Sequence, residues 1–390
     1  MKLEYFIFLL FFSLYSCKND IQRPSILSLF LPQGGSDVEK LGIVSTDFSS
    51  GGRFSMIDTS SLVALPALSY IHSDAVIRYF NQKIYIVNRL NRDSILILNP
   101  LLGYLPLQEF SMGSGSNPQD IAVVNDSKAY VSLYNRTYLA VVNLSTGQTY
   151  KTIDLAVYSE ASSNSSSGID GKPEMARMII NENILYLQLQ RLDRNDISGF
   201  PSPNTYSYIL KINIITDEII GVSKTPYPNP FGKMQKISLG SDNFIAVCLP
   251  ARLGYISQLD GGIGALNIAT GEFRASLLYS EKDAGGDILD MVIKSETEGF
   301  AYVLDSSFNK SIQRFNPTTG AKTGTLATYS SNLGNISGLV LSQTGKLFLG
   351  SAEYNNPGIT VFETTNGELR QITPTPINIG LRPFDLEILK

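Results

Sequence analysis

The sequence contains no tryptophan, a single histidine and two cysteines, and each scarcity closes a route to chemistry. His72 and one spare cysteine cannot assemble a zinc site, which takes about four nitrogen or sulfur ligands. Nucleophilic catalysis by Ser or Cys needs a base within reach, most often His. His72 follows an apolar stretch by itself and reads as structural. An excess of one charge is also lacking: 31 Lys and Arg are interspersed with 35 Asp and Glu, for a formal net charge of −4. That leaves no basic footprint for nucleic acid. Beyond the amino terminus there is no apolar run of the roughly 20 residues that span a bilayer.

What is present begins with the amino terminus. Tyr5 to Tyr15 is an apolar run rich in Phe and Leu, too short for a membrane-spanning helix. It ends in Leu14-Tyr15-Ser16-Cys17, which resembles a bacterial lipobox, with Tyr15 departing from the small residue usual there. The resemblance implies cleavage before Cys17 and lipidation of it; the alternative is an ordinary secretory signal that happens to hold a Cys. Each buried acyl methylene contributes about 0.8 kcal/mol, so several chains together anchor stably. With Cys17 lipidated, Cys248 has no partner for a disulfide, and its apolar setting, Phe244 to Leu249, suits a small core residue. The chain thus divides into a signal peptide (1–16), the lipidated Cys and a flexible tether (17–40), and a folded body (41–390). Lys18 also lacks the Asp that, in the known sorting pattern, holds lipoproteins at the inner membrane. The expected location is the bacterial cell envelope at the outer membrane, on its surface or periplasmic side.

The body carries a repeat. Asn117 to Leu155 reads as four short strands split by turns, and copies of the pattern lie on both sides. A period of about 40–50 residues with four strands each time marks radially repeated sheets. One unit begins near Asp74 and holds Lys83–Val87 and Ser94–Leu98. Later units hold Ile184–Leu189 with Tyr208–Asn213, Phe244–Leu249 with Gly264–Ile268, Phe300–Leu304 with Ser311–Phe315, and Lys346–Gly350 with Gly358–Phe362. The two ends supply a seventh unit between them. Leu41–Thr46 and Arg53–Asp58 look like second and third strands without a first, and Arg382–Leu389 looks like a first strand with nothing after it. Pro383 and Asp385 parallel Pro118 and Asp120. The expected fold is therefore all-β, a seven-bladed β-propeller of four-stranded blades, closed by the C-terminal strand so that no sheet edge is left open.

The turns Ser145-Thr-Gly147, Ala269-Thr-Gly271, Pro317-Thr-Thr-Gly320 and Thr364-Thr-Asn-Gly367, with the Pro-x-x-Ile-Ala-Val opening and Ala129-Tyr-Val131, resemble the YVTN-type repeat propellers. The resemblance covers most of the chain after the tether. It implies an extracytoplasmic or cell-surface protein and says little about activity. Quinone-cofactor propellers stack their cofactor on Trp beside a Cys pair, and this chain has neither; no cofactor is expected.

In such a fold the connections alternate between faces. Those joining first to second and third to fourth strands are short here, while the other face receives the long ones: Tyr158–Pro173, Leu192–Thr205, Pro226–Phe231 and Pro250–Gly262. Ser162 to Ser167 has no apolar residue and is expected to be disordered. Long loops are where function concentrates. Phe200, Tyr227, Phe231 and Tyr255 on them suit recognition, since an aromatic buries much area with few rotors to freeze; packing onto the blade tops is the alternative. Asp74, Asp120, Asp290 and Asp385 fall near equivalent places at the starts of first strands. They could ring the channel mouth and bind a hard cation or an ammonium group, or accept hydrogen bonds from nearby backbone amides in the connecting loop. The function expected is a lipid-anchored binding module recognising a protein or glycan through the long-loop face. The alternative is a hydrolase or lyase using carboxylates at the channel mouth, and a third possibility is a scaffold with no small ligand.

Overall fold

Strands that are apolar on both faces need cover on both faces, and this chain supplies it by radial stacking. The computed structural model describes residues 39–159, 171–192, 206–252, 258–330, 335–365 and 368–390. Among these, 28 strands form seven antiparallel four-stranded sheets. Numbered along the chain, blade 1 spans Ala75–Ser111, blade 2 Pro118–Asp154, blade 3 Met175–Lys224, blade 4 Phe231–Ser280, blade 5 Asp287–Tyr329 and blade 6 Asn335–Gln371. Blade 7 takes its first strand from Arg382–Leu389 and the rest from Lys40–Thr46, Gly51–Asp58 and Ala64–His72. The closure expected from the two chain ends is present, with Lys40 paired to Leu389 and Thr46 to Arg382.

Inner strands lie between neighbouring blades and lose the alternation of a half-solvated sheet. Lys83–Asn88 and Lys128–Leu133 are each buried at every residue after the first, whereas the outermost strand Gln148–Asp154 is exposed at all but one position. One position of the second strand repeats an aromatic: Tyr85, Tyr130, Tyr186, Phe300 and Phe348 are all 1% exposed or less. Large rings at that position each bury a large apolar area within the core.

The third-to-fourth turns follow from their sequence. In blade 2, Asn143 Oδ1 accepts from the amides of Ser145 and Thr146, and the Gly147 amide closes onto Asn143 O at 2.8 Å. Gly147 then sits at φ +72°, which favours glycine. Asn267-to-Gly271 and Asn316-to-Gly320 repeat this arrangement. Blade 4 departs from the expected short connection. After its turn the chain runs on through Phe273, bridged to Leu266, and the fourth strand is only Tyr279–Ser280.

Candidate functional site

The first strands line the central channel, and three of them carry an Asp at a bulge. Gln119, Leu289 and Phe384 are the extra residues, followed by Asp120, Asp290 and Asp385, which pair with Ser132, Tyr302 and Val44. The bulge aligns each carboxylate with its own following amide and with one in the next blade. Asp120 accepts from Ile121 N at 2.9 Å and Met178 N at 2.8 Å. Asp290 accepts from Met291 N at 2.9 Å and Leu339 N at 3.0 Å. Asp385 accepts from Leu386 N at 3.0 Å and Ile77 N at 3.1 Å. Each Asp therefore fastens its blade to the next. The amides belong to strands, which corrects the expectation of donors in the connecting loop.

Asp74 is different. It precedes the blade 1 strand, and its carboxylate takes the Arg89 guanidinium, whose Nε lies 2.8 Å from Oδ1. The register puts Val76 where Asp120 stands in blade 2, because Ala75 and Pro118 each oppose the last residue of their second strand. Four aspartates do not form one equivalent ring; three do.

Three cations that sequence reasoning did not single out complete the constellation. Arg78 Nε sits 2.8 Å from Asp120 Oδ1, with Asp385 at 3.7 Å and Glu387 at 3.8 Å from Nη1. Lys233 Nζ lies 2.8 Å from Glu387 and 3.3 Å from Asp385, and also donates to Leu386 O. Arg177 comes no closer than 3.9 Å to Asp385. The available signal was a charge interrupting an apolar strand, as Arg78 does after Ala75-Val-Ile and Arg177 between Met175-Ala and Met178-Ile-Ile.

The network sets the protonation of its members. Burial pushes Asp385 up, but Lys233, Arg177 and Arg78 outweigh it and hold the group at about 2. Burial pushes Asp290 up to about 6, and Lys233 only partly opposes it. Arg78 is held more firmly protonated than usual, because Asp120, Glu387 and Asp385 outweigh its desolvation. Arg177 is shifted down, by burial and then by the like charge of Arg78.

Ion pairs divide the channel. Toward the long-connection face lies a cavity of about 350 Å³, lined by Arg177, Lys233, Asp290, Tyr302, Ser337 and Asp385 with apolar Leu289, Leu339 and Leu386. Phe48, Phe231 and Phe384 also line it. Phe48 meets Phe384 edge-on at 6.4 Å between ring centres, while Arg382 lies over Phe48 and Arg89 over Phe384, both at 5.4 Å. A second space of about 240 Å³, lined by Arg78, Tyr79, Val123, Ile180 and Glu387, lies toward the other ends of the first strands.

Of the aromatics expected to recognise a partner, Phe231 lines the mouth cavity and is 36% exposed, and Tyr227, exposed on the preceding connection, does not line it. Phe200, Tyr255 and Cys17 lie outside the described residues, as does Ser162 to Ser167. His72 is away from the cavity, its Nδ1 3.2 Å from the Asp74 amide that donates to it. Among the described residues, no three His, Cys, Asp or Glu are placed to hold a metal ion, and no helix is long and apolar enough to cross a membrane.

No known protein family and no curated protein matches the sequence. Solved structures do match the fold. A candidate 6-phosphogluconolactonase from Bacteroides fragilis is similar at a TM-score of 0.60 and 14% identity, covering 92% of this chain and 99% of its own. A protein from Lactobacillus plantarum gives 0.59 and 11%, covering 90% and 99%. A candidate 6-phosphogluconolactonase from Bacteroides uniformis gives 0.58 and 13%, covering 90% and 100%. At identities this low the likeness shows a shared fold and leaves activity open.

Proposed function

We propose that this protein is a binding module of the bacterial cell envelope, anchored by lipid on Cys17, that takes a protein or glycan on the long-connection face of its propeller. The observation that supports this reading is the mouth cavity. It is rimmed by Phe48, Phe231 and Phe384, while the carboxylates at its floor are engaged by backbone amides and cations instead of being presented to a reacting centre. Aromatic anchors around a recess are the usual carriers of recognition energy. The test is photo-crosslinking in intact cells from position 227, with position 145 on the opposite face as control. Adducts from 227 alone, lost in Phe231→Ala, are expected; equal adducts from both positions would refute the face. Cys17→Ala should abolish labelling of the protein by a palmitate analogue.

A second reading rests on Asp290, the cavity acid pushed up to about 6, a range that suits general acid–base work. Fold neighbours described as candidate 6-phosphogluconolactonases make lactone hydrolysis the reaction to assay first. Turnover that disappears in Asp290→Asn, with an unchanged melting transition, would favour this reading over the first.

A further inference from the structure

Among the described residues, the mouth cavity holds one cation whose partners all lie at the edge of contact distance. Lys233 has three donors and three acceptors in reach: Glu387, Asp385 and Leu386 O. Arg177 has five N–H donors, yet among the described residues its guanidinium reaches only Gln119 O at 3.5 Å and Asp385 at 3.9 Å, both at the limit of useful contact. Its side chain is only 17% exposed, so little water reaches it. The backbone explains the placement. Arg177 stands two residues after Met175, which opposes the last residue of its second strand, as Asp120 stands two after Pro118. Blade 3 thus presents a guanidinium where blade 2 presents a carboxylate. A covered guanidinium left short of acceptors is costly, and a bidentate carboxylate matches its planar fork.

We infer that this cavity seats a small carboxylate with an apolar, ring-sized body, the carboxylate on Arg177 and the body against Phe231, Phe384 and Leu339. The inference rests on the reading of this face as a binding face and adds a small-molecule class for its recess, beside the protein or glycan taken on the face itself. A dianion fits less well: its second charge would meet Asp290 and Asp385 on the cavity wall, with Lys233 already committed to Glu387, Asp385 and Leu386 O. A cationic ligand would have to sit beside Arg177 itself.

The second wall makes binding depend on pH. Facing Asp290 are Lys233 and Cys248 of blade 4, Asp385 of blade 7 and Tyr302 of its own blade. Asp385 is held at about 2, and Tyr302 and Cys248 are pushed above their ordinary values, which leaves Asp290 as the acid of this set that titrates near neutrality. Protonated, Asp290 tolerates an incoming carboxylate; ionised, it repels one. Affinity is therefore greatest below about pH 6 and falls above it, by at most about tenfold per pH unit.

The experiment is calorimetric titration of the full chain with phenylacetate, its neutral isostere phenylacetamide and the cation phenethylamine, at about pH 5.5 and 7.5. Phenylacetate should bind with a Kd of roughly 1 mM or tighter and at least about tenfold tighter than the other two at the lower pH. Arg177→Gln should lose at least about tenfold, and Asp290→Asn should remove the pH dependence. Should Arg177→Gln fail to fold, Arg177→Lys keeps the charge and removes the fork, and it should lose most of the preference for carboxylate over amide. Equal affinity for acid and amide, tighter binding of the amine, or unchanged affinity in a folded Arg177 variant would overturn the inference. So would no binding of any probe, which leaves the face itself to the crosslinking from position 227.

Discussion

Asp120, Asp290 and Asp385 share one backbone geometry but not one environment, and the difference controls stability. Asp120 is wholly buried and tied to Arg78. Removing Asp120 leaves Arg78 with the more distant Asp385 and Glu387 but orphans the Ile121 and Met178 amides, at about 1–3 kcal/mol each. Asp120→Ala should therefore lower the unfolding free energy by about 2–5 kcal/mol, read by urea denaturation; a loss below about 1 kcal/mol would mean that water reaches those amides. pH dependence separates the other acids. Asp385, held at about 2, contributes stability that is full above the ordinary Asp value of 3.8 and is lost as pH falls toward 2. Burial pushes Asp290 to about 6 and Glu281, which accepts from the Gly261 and Ile288 amides, to about 8. Their contributions are full when protonated in both states, below 3.8 and 4.5, and are lost as pH rises through about 6 and about 8. Opposite signs place maximum thermal stability near pH 4. A scan of Tm from about pH 3 to 9 checks this, and Glu281→Gln should flatten the limb between about 6 and 8.

At the scale of the element, the Asn-x-x-x-Gly turn combines a requirement for dihedral angle with one for space. Gly147 and Gly103 both adopt positive φ, +72° and +69°. A Cβ at Gly147 would lie 2.6 Å from Phe110 Cβ, while at Gly103 nothing lies within 4 Å. Gly103→Ala should thus cost about 1–2 kcal/mol, from the left-handed backbone alone. Gly147→Ala should cost about 1–3 kcal/mol more from overpacking; equal melting shifts for the two would show that Phe110 moves aside freely. In blade 3 the same place is held by Asp217 at φ +60°, a residue tolerated there, which also binds Lys128 at 2.6 Å and Lys151 at 3.2 Å. Turns of this kind are legible in the sequence because their hydrogen bonds and their dihedral requirement fall within five residues. The long fourth connection of blade 4 was not, since its Thr-Gly turn is intact and only the later Phe273 bridge diverts the chain.

For the molecule as a whole, the ring was readable and the constellation in its channel was not, for one reason. Blade count and closure rest on local patterns repeated along the chain, including Pro383 and Asp385 echoing Pro118 and Asp120. Arg78, Arg177 and Lys233 come from three blades, share no motif, and meet Asp385 and Glu387 only once the last strand closes the circle. Closure therefore carries both the sheet edge and the channel charges, and it can be tested by rewiring. Lys40 already pairs with Leu389, so the ends of the body lie where a hairpin turn would join them. Linking Leu389 through Asn-Gly to Lys40 and opening the chain after Gly380 makes blade 7 continuous, with a turn type suited to antiparallel neighbours. Such a permutant should unfold in one cooperative transition at a Tm within a few degrees of the chain from Glu39 to Lys390. A chain ending at Gly380 keeps every other strand but bares the Lys40–Thr46 edge and leaves Arg78, Arg177 and Lys233 without Asp385, so it should aggregate or melt without cooperativity. If the truncated chain instead melts as sharply as the full body, the last strand is an accessory and the six continuous blades hold the ring by themselves.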